Sequence, residues 1–202
     1  MTPMNQPDAF AAVAAAITDR RTVKQFLPQP VAPDLLTKLI DLAVWAPNHR
    51  MTEPWRFYVI NGAMCQQVGE IARSVTAAKI SSVGGTAEVA ARKAAEAAGA
   101  WSSVPTLLYV TMVGDANPEI DLENYGAVCC AIQNFTLAAH VAGVGTSWSS
   151  GAVASAPELL QLVGAGANER MVGLLRVGYL DSTSAPAKSR RKPGAEVTCW
   201  LE

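Results

Sequence analysis

Charge is scarce in this sequence, and so are the residues that side-chain catalysis would need. Only 16% of the 202 residues are charged, and residues 124 to 157 contain no Asp, Glu, Lys or Arg. There are two histidines, His49 and His140. Ser-His-Asp and Cys-His arrangements therefore lack obvious parts. No His-x-x-x-His pair, carboxylate cluster or spaced cysteine pair marks a metal site. The four cysteines are Cys65, Cys129, Cys130 and Cys199, and the adjacent pair reads as small buried residues. A P-loop is absent, as is a GxGxxG between strand and helix, and no fixed-period repeat is visible. Sixteen basic residues against seventeen acidic ones leave a net charge of −1. That gives no field to draw nucleic acid or an anionic membrane. An enzyme with so few acid–base groups would carry its chemistry on a bound cofactor.

What is present is half apolar and long enough for one sizeable core, so residues 1–202 read as a single domain. The patch AFAAVAAAI follows Asp8 with no Lys or Arg before it. That is the reverse of a secretory signal, and a cytoplasmic location is expected. Helical spacing covers about residues 8 to 19, then Pro33 to Ala46, where Pro47 ends it. WRFYVING reads as a strand closing on an Asn-Gly turn. Residues 63 to 80 and 86 to 99 read as helices separated by SSVGG, where Gly84 and Gly85 serve as a hinge or a helix terminus. VPTLLYVTMVG is a strand covered on both faces.

YGAVCCAIQNFTLAAHVAGVG has helical composition and no clean polar side, as expected of a helix buried all round. Gln133, Asn134 and His140 interrupt it as a membrane span. Burial of so long a helix in so short a chain points to a dimer. GVGTSWSSGA reads as a loop, APELLQLVG as a short helix, RMVGLLRVGYL as a strand, and EVTCW as a last short strand. The class is α+β or α/β with a four- or five-stranded sheet.

Anion-binding groups are better supplied. DRRTVKQF places Arg20, Arg21, Thr22 and Lys24 after the first helix, and alternation in an extended chain puts Arg20, Thr22 and Lys24 on one side. These cations also suit a helix C-terminus. Lys188, Arg190, Arg191 and Lys192 form a second basic cluster, which reads equally as a solvated tail. Two clusters on a nearly neutral chain suit one shared phosphate. TSWSSG adds hydroxyls, backbone N–H groups and an indole, suited to a planar heteroaromatic ring with a phosphate tail.

RRTVKQF followed by QPVAPDLLTKLIDLAVWAPNHRMTEPWRFYVI resembles the nitroreductase family of flavin enzymes, and the Trp148 loop and KSRRKPGAEVTCW fit in family order. The resemblance implies a three-layer α/β/α fold on a mostly antiparallel sheet of four to five strands, as an intertwined homodimer with two FMN sites at its interface. Arg20 and Thr22 would hold the FMN phosphate with Arg190 and Lys188, and Arg21 would be among the cofactor-binding residues. Lys24 would lie near the flavin pyrimidine, where a cation favours the reduced form. Trp148, Ser149 and Ser150 would line the ring, and EVTCWLE would pair with the partner's sheet. The implied activity is ping-pong transfer from NAD(P)H to nitroaromatics, quinones or similar acceptors. An FMN storage protein, flavin cleavage and dehalogenation are the alternatives.

The segment APNHRMTEPWRF departs from the common pattern: Met51 stands where most of the family has Asn, and Glu53 where it has Gln. It resembles a smaller subgroup with A-P-x-H, in which His49 would contact FMN across the dimer, with Arg50 as a weaker candidate. Pro47 and Pro54 would hold the segment rigid. Thr22 replaces the usual Ser, and Ser149 stands where the subgroup often has Arg.

Overall fold

A computed structural model describes residues 7–181 and 189–201. Helix α1 runs Pro7–Asp19, and α2 runs Pro33–Ala43 with proline at its first position, where no amide partner is needed. Its face of Leu36, Leu39 and Ala43 is buried. A 3-10 turn, His49–Met51, leads into strand β1, Trp55–Asn61. Helices α3 (Ala63–Ser82) and α4 (Ala87–Ser102) then form a closely packed pair. The contact is close because α4 turns inward a stripe of Ala90, Ala94 and Ala98, ending in Trp101. Thr86 caps α4 by accepting the Val89 amide at 3.3 Å. Gly84 and Gly85 bond back to Ser81 and Ile80, with Gly84 at φ +80; they terminate α3.

Strand β2 (Thr106–Val113) is buried along nearly its whole length, as its continuous apolar run requires. Helix α5 spans Pro118–Val141, longer at its N-terminus than the charge-free stretch suggests, because Asn117 caps it by accepting the Glu119 amide at 2.9 Å. Strand β3 (Val144–Ser149), helix α6 (Pro157–Leu162) and strand β4 (Glu169–Tyr179) complete the core. The sheet has the order β1-β2-β4-β3, with every pair antiparallel. Helices α2 and α5 cover one face around Leu108, Val110, Phe135, Leu175 and Val177. Helices α3, α4 and α6 cover the other around Tyr109, Leu107, Val68, Leu159 and Leu174. This is the expected three-layer architecture. Among the described residues, no helix is long and apolar enough to cross a membrane.

Three expectations change. TSWSSG is not all loop: Val144 to Ser149 pair with β4 from Tyr179 to Leu174. The small residues fit because Gly145 faces the Val23 and Leu180 side chains, so closely that a β-carbon there would lie 2.6 Å from Leu180. EVTCW is not a strand: Gly194–Val197 is a 3-10 turn, with Trp200 88% exposed and no sheet neighbour among the described residues. Within one chain the adjacent cysteines are not both buried: Cys130 is exposed and Cys129 half-buried, on a side of α5 where Leu122, Tyr125 and Val141 also stand exposed. One chain supplies cover for one side of α5 only.

Candidate functional site

The segment after α1 runs along the free edge of β3. Thr22 forms a parallel bridge with Thr146, and the Val23 amide donates to the Thr146 carbonyl at 2.9 Å. Farther on, the Leu27 amide donates to the Tyr179 carbonyl at 3.0 Å. This places Thr22 on the same side of the sheet as Thr146, and alternation along β3 puts Trp148 there too. Arg176, paired with Ser147, therefore points to the opposite side, where its guanidinium stacks 3.8 Å from the Trp101 ring centre.

Arg20, Arg21 and Thr22 line a cavity of about 580 Å³ together with Ile17, Thr18, Ser189 and Arg191. Among the described residues, three arginines and two threonines line it, and no Asp or Glu does. Arg21 Nη1 is aimed by the carbonyls of Thr18 and of Arg20, the latter at 2.8 Å. Arg191 Nη1 is held by the Ser189 hydroxyl and by the Arg190 carbonyl at 2.9 Å. Arg190 itself is exposed and does not line the cavity. Lys188 lies outside the described residues. A neighbouring cavity of about 130 Å³ shares Arg20 and Arg21 and adds Asp19, Asp181 and His140.

Lys24 is exposed one alternation beyond Thr22. Trp148 is 40% exposed, and its Nε1 donates to the Val172 carbonyl at 3.3 Å. The indole is thereby laid against β4 as an open aromatic platform. Ser149 ends β3 half-buried, and the exposed Ser150 accepts the Ser155 hydroxyl through its carbonyl at 3.3 Å. Arginine and threonine side chains gathered along one short segment, with an exposed indole on the same side of the sheet as Thr22, suit a phosphate attached to a flat ring.

His49 is elsewhere. Its Nδ1 lies 2.9 Å from Glu123 Oε1 near the start of α5, and its side chain is 67% exposed. Glu123 Oε2 meets Arg50 Nε at 3.4 Å, and Arg50 also approaches Glu119 at 3.8 Å. Hydrogen bonding from His49 is the largest cause holding the Glu123 carboxyl below its usual range, and Arg50 adds to it. His140, beside the arginine cavity, is seventeen positions along α5 from Glu123. At 1.5 Å per residue that is about 25 Å. His49 and the arginine cavity of the same chain are therefore at opposite ends of α5.

The His49 turn is built by residues that composition alone does not reveal. Asn48 Oδ1 accepts the Glu53 amide at 2.7 Å, and Asn48 Nδ2 donates to the Thr52 hydroxyl at 3.1 Å. Thr52 in turn donates to buried Asn124 at 2.6 Å. Within this frame Arg50, Met51 and Glu53 adopt φ of 66°, 52° and 45°, conformations that L-residues avoid and that cost energy to hold. Nothing local in the sequence announces Glu123 or Asn124 as partners, since both lie some seventy positions away.

Comparison with known proteins follows the same architecture. The Nitroreductase family model matches residues 17–179. YfhC of Bacillus subtilis, by its name a candidate NAD(P)H nitroreductase, is 30% identical over 88% of each chain. The solved structure of a nitroreductase-like family protein from Bacillus cereus superposes with a TM-score of 0.80 at 30% identity, covering 100% of this chain and 99% of that one. NfnB of Mycobacterium smegmatis, an FMN-dependent nitroreductase solved with NADPH, shares the fold at a TM-score of 0.78 and 17% identity, over 96% of this chain and 100% of its own.

Proposed function

Because this chain belongs to the nitroreductase family, we propose that it is an FMN-dependent NAD(P)H oxidoreductase acting on nitroaromatics, quinones or similar acceptors by a ping-pong cycle. When bound, FMN supplies two-electron chemistry, taking a hydride equivalent from NAD(P)H and passing it on. The observation that carries this reading is the cavity lined by Arg20, Arg21, Thr22 and Arg191, with the Trp148 indole on the same side of the sheet as Thr22.

The chain's own residues then divide the work. Arg20, Arg21 and Thr22 bind the phosphate from one side, and Arg191 closes it from the other, in preference to Arg190. Lys24 adds positive charge at the ring end of the same extended segment. Trp148 gives a surface for packing, and Ser149, Ser150 and the following Gly151 offer short polar groups around it. No side chain is assigned as proton donor, and selection of acceptors rests on stacking, which suits flat electron-poor substrates.

The working unit is a homodimer. His49 cannot serve the cavity of its own chain, so a second copy must bring it to a site. Apolar side chains exposed on α1, α2 and α5, including Val13, Leu42 and Val141, border a common groove that a second copy would cover.

The visible spectrum of the purified protein, before and after anaerobic NADPH, tests the reading. Yellow protein that bleaches with NADPH and recovers with a nitroaromatic is the expected result. Colour that persists through NADPH would turn the assignment toward an FMN storage protein, and a chain that takes up no FMN would overturn it.

A further inference from the structure

Helix α5 presents Glu123 to His49 in a way that the sequence pattern around His49 does not foretell. The carboxylate divides its two oxygens: Oε1 lies 2.9 Å from His49 Nδ1, and Oε2 lies 3.4 Å from Arg50 Nε. Arg50 and His49 both favour the ionised carboxylate, and an ionised carboxylate only accepts hydrogen bonds. A ring nitrogen at 2.9 Å from it must therefore carry the proton. The next residue on α5, Asn124, is 4% exposed and anchors the same turn through the Thr52 hydroxyl at 2.6 Å. Two adjacent residues of one helix thus fix both the backbone of the His49 turn and the orientation of its ring. The residues bearing positive φ, which cost the fold free energy, lie between these two anchors and the Asn48 bonds.

We propose that Glu123 is a positioning residue for the flavin site: it holds His49 in the Nδ1–H tautomer and leaves Nε2 bare and outward as a hydrogen-bond acceptor for a ring N–H on the partner's cofactor. This rests on the reading above, in which His49 meets FMN across the homodimer. The unbound imidazole side chain prefers the opposite tautomer, with the proton on Nε2. Without the carboxylate the ring would present a donor where an acceptor is required. The arrangement follows the rule that the second ring nitrogen of a functional histidine sets the state of the first.

The test is direct because the chain has only two histidines. Nitrogen-15 shifts of the full-length apo protein at mildly alkaline pH, assigned with His49→Phe, read the tautomer without any flavin. The expected result is a protonated Nδ1 and an unprotonated Nε2 at His49. Glu123→Ala should move the proton to Nε2 and weaken FMN binding about tenfold, the size of one hydrogen bond. Glu123→Gln keeps the size of the side chain but has a single oxygen, which donor-only Arg50 takes; its NH2 group then faces Nδ1 and should move the proton to Nε2, with a similar loss of FMN affinity. It also guards against a simple folding defect in the alanine variant. Because the two residues act as one unit, the double variant Glu123→Ala/His49→Phe should bind FMN no worse than His49→Phe alone. A bare Nδ1 in the unmodified protein, with FMN affinity still dependent on His49, would overturn the role of Glu123 and leave the flavin reading standing. Multiplying effects in the double variant would do the same. An unchanged FMN affinity in His49→Phe would remove His49 from the flavin site, and the positioning role with it.

Discussion

The indole of Trp148 lies against the bare Cα of Gly173: a β-carbon at position 173 would sit 2.3 Å from Trp148 Nε1 and 2.8 Å from Cδ1. The aromatic platform of the site is thus seated on a glycine of the neighbouring strand.

Gly173→Ala should push the indole off β4 and break its bond to the Val172 carbonyl. Overpacking of this kind costs about 1–3 kcal/mol, so chemical denaturation should show a loss in that range. FMN titration monitored by flavin fluorescence should show weaker binding in the same variant. Retained stability and unchanged affinity would mean that the indole has a second, equally good seat.

Arg20→Ala should weaken FMN binding by about 1.5–3 kcal/mol, the worth of one charge-assisted pair to phosphate. The fold should survive, since Arg20 stands past the end of α1 and contributes no core packing. Arg191→Ala should weaken FMN binding more than Arg190→Ala. The reverse order would show that the basic segment turns over when phosphate binds.

Glu169 ties the start of β4 to β2, to β1 and to the turn before it. Tyr58 donates to its Oε2 at 2.9 Å, the Gly166 amide to Oε1 at 3.0 Å, and the Thr111 hydroxyl to Oε2 as well. Burial by itself would raise its pKa, but these donors outweigh burial and hold the carboxyl below its ordinary value of 4.5. A folded pKa below the unfolded one contributes stability above the unfolded pKa, which is lost as pH falls through the folded value. Glu169→Gln should therefore destabilise near neutral pH by about 1–3 kcal/mol. The gap to the unmodified protein should close as pH falls below 4.5. Urea unfolding at a series of pH values checks both; a pH-independent gap would assign the loss to packing.

Glu53 holds φ at 45° while its amide donates to Asn48 Oδ1 at 2.7 Å. Glu53→Gly keeps that amide and removes the side-chain clash, and should raise stability by about 0.5–1 kcal/mol. Asn48→Ala removes the acceptor and should lower it by about 1–2 kcal/mol. A melting temperature that falls in Glu53→Gly would show that the strain lies elsewhere.

The sequence revealed the elements whose burial is one-sided or complete: α2 by its Leu36, Leu39, Ala43 stripe, β2 by an unbroken apolar run. It failed where the local pattern and the tertiary demand disagree. Strand β3 has Gly, Thr and two Ser among its six residues, the glycine set by Val23 and Leu180 above position 145, and a strand with small polar residues looks like a loop. EVTCW has strand composition, but within one chain it starts in a 3-10 turn and continues as an exposed stretch off the sheet. The arginine and threonine after α1 were readable, being consecutive and extended. Glu123 and Asn124 were not, since their function depends on a turn folded back from far upstream.

The bridge between Thr22 and Thr146 lies on an edge of the sheet. Strand β3 is the last strand of the sheet, and its outer margin of N–H and C=O groups is a template for foreign strands unless it is covered. The cover is the short segment whose Arg20, Arg21 and Thr22 line the cavity. If phosphate binds at those residues as proposed, it also fastens the guard on the β3 margin of the sheet. Chains purified without flavin should be the ones that clump on warming, and a phosphate-bearing ligand should keep them dispersed whether or not it carries a redox-active ring.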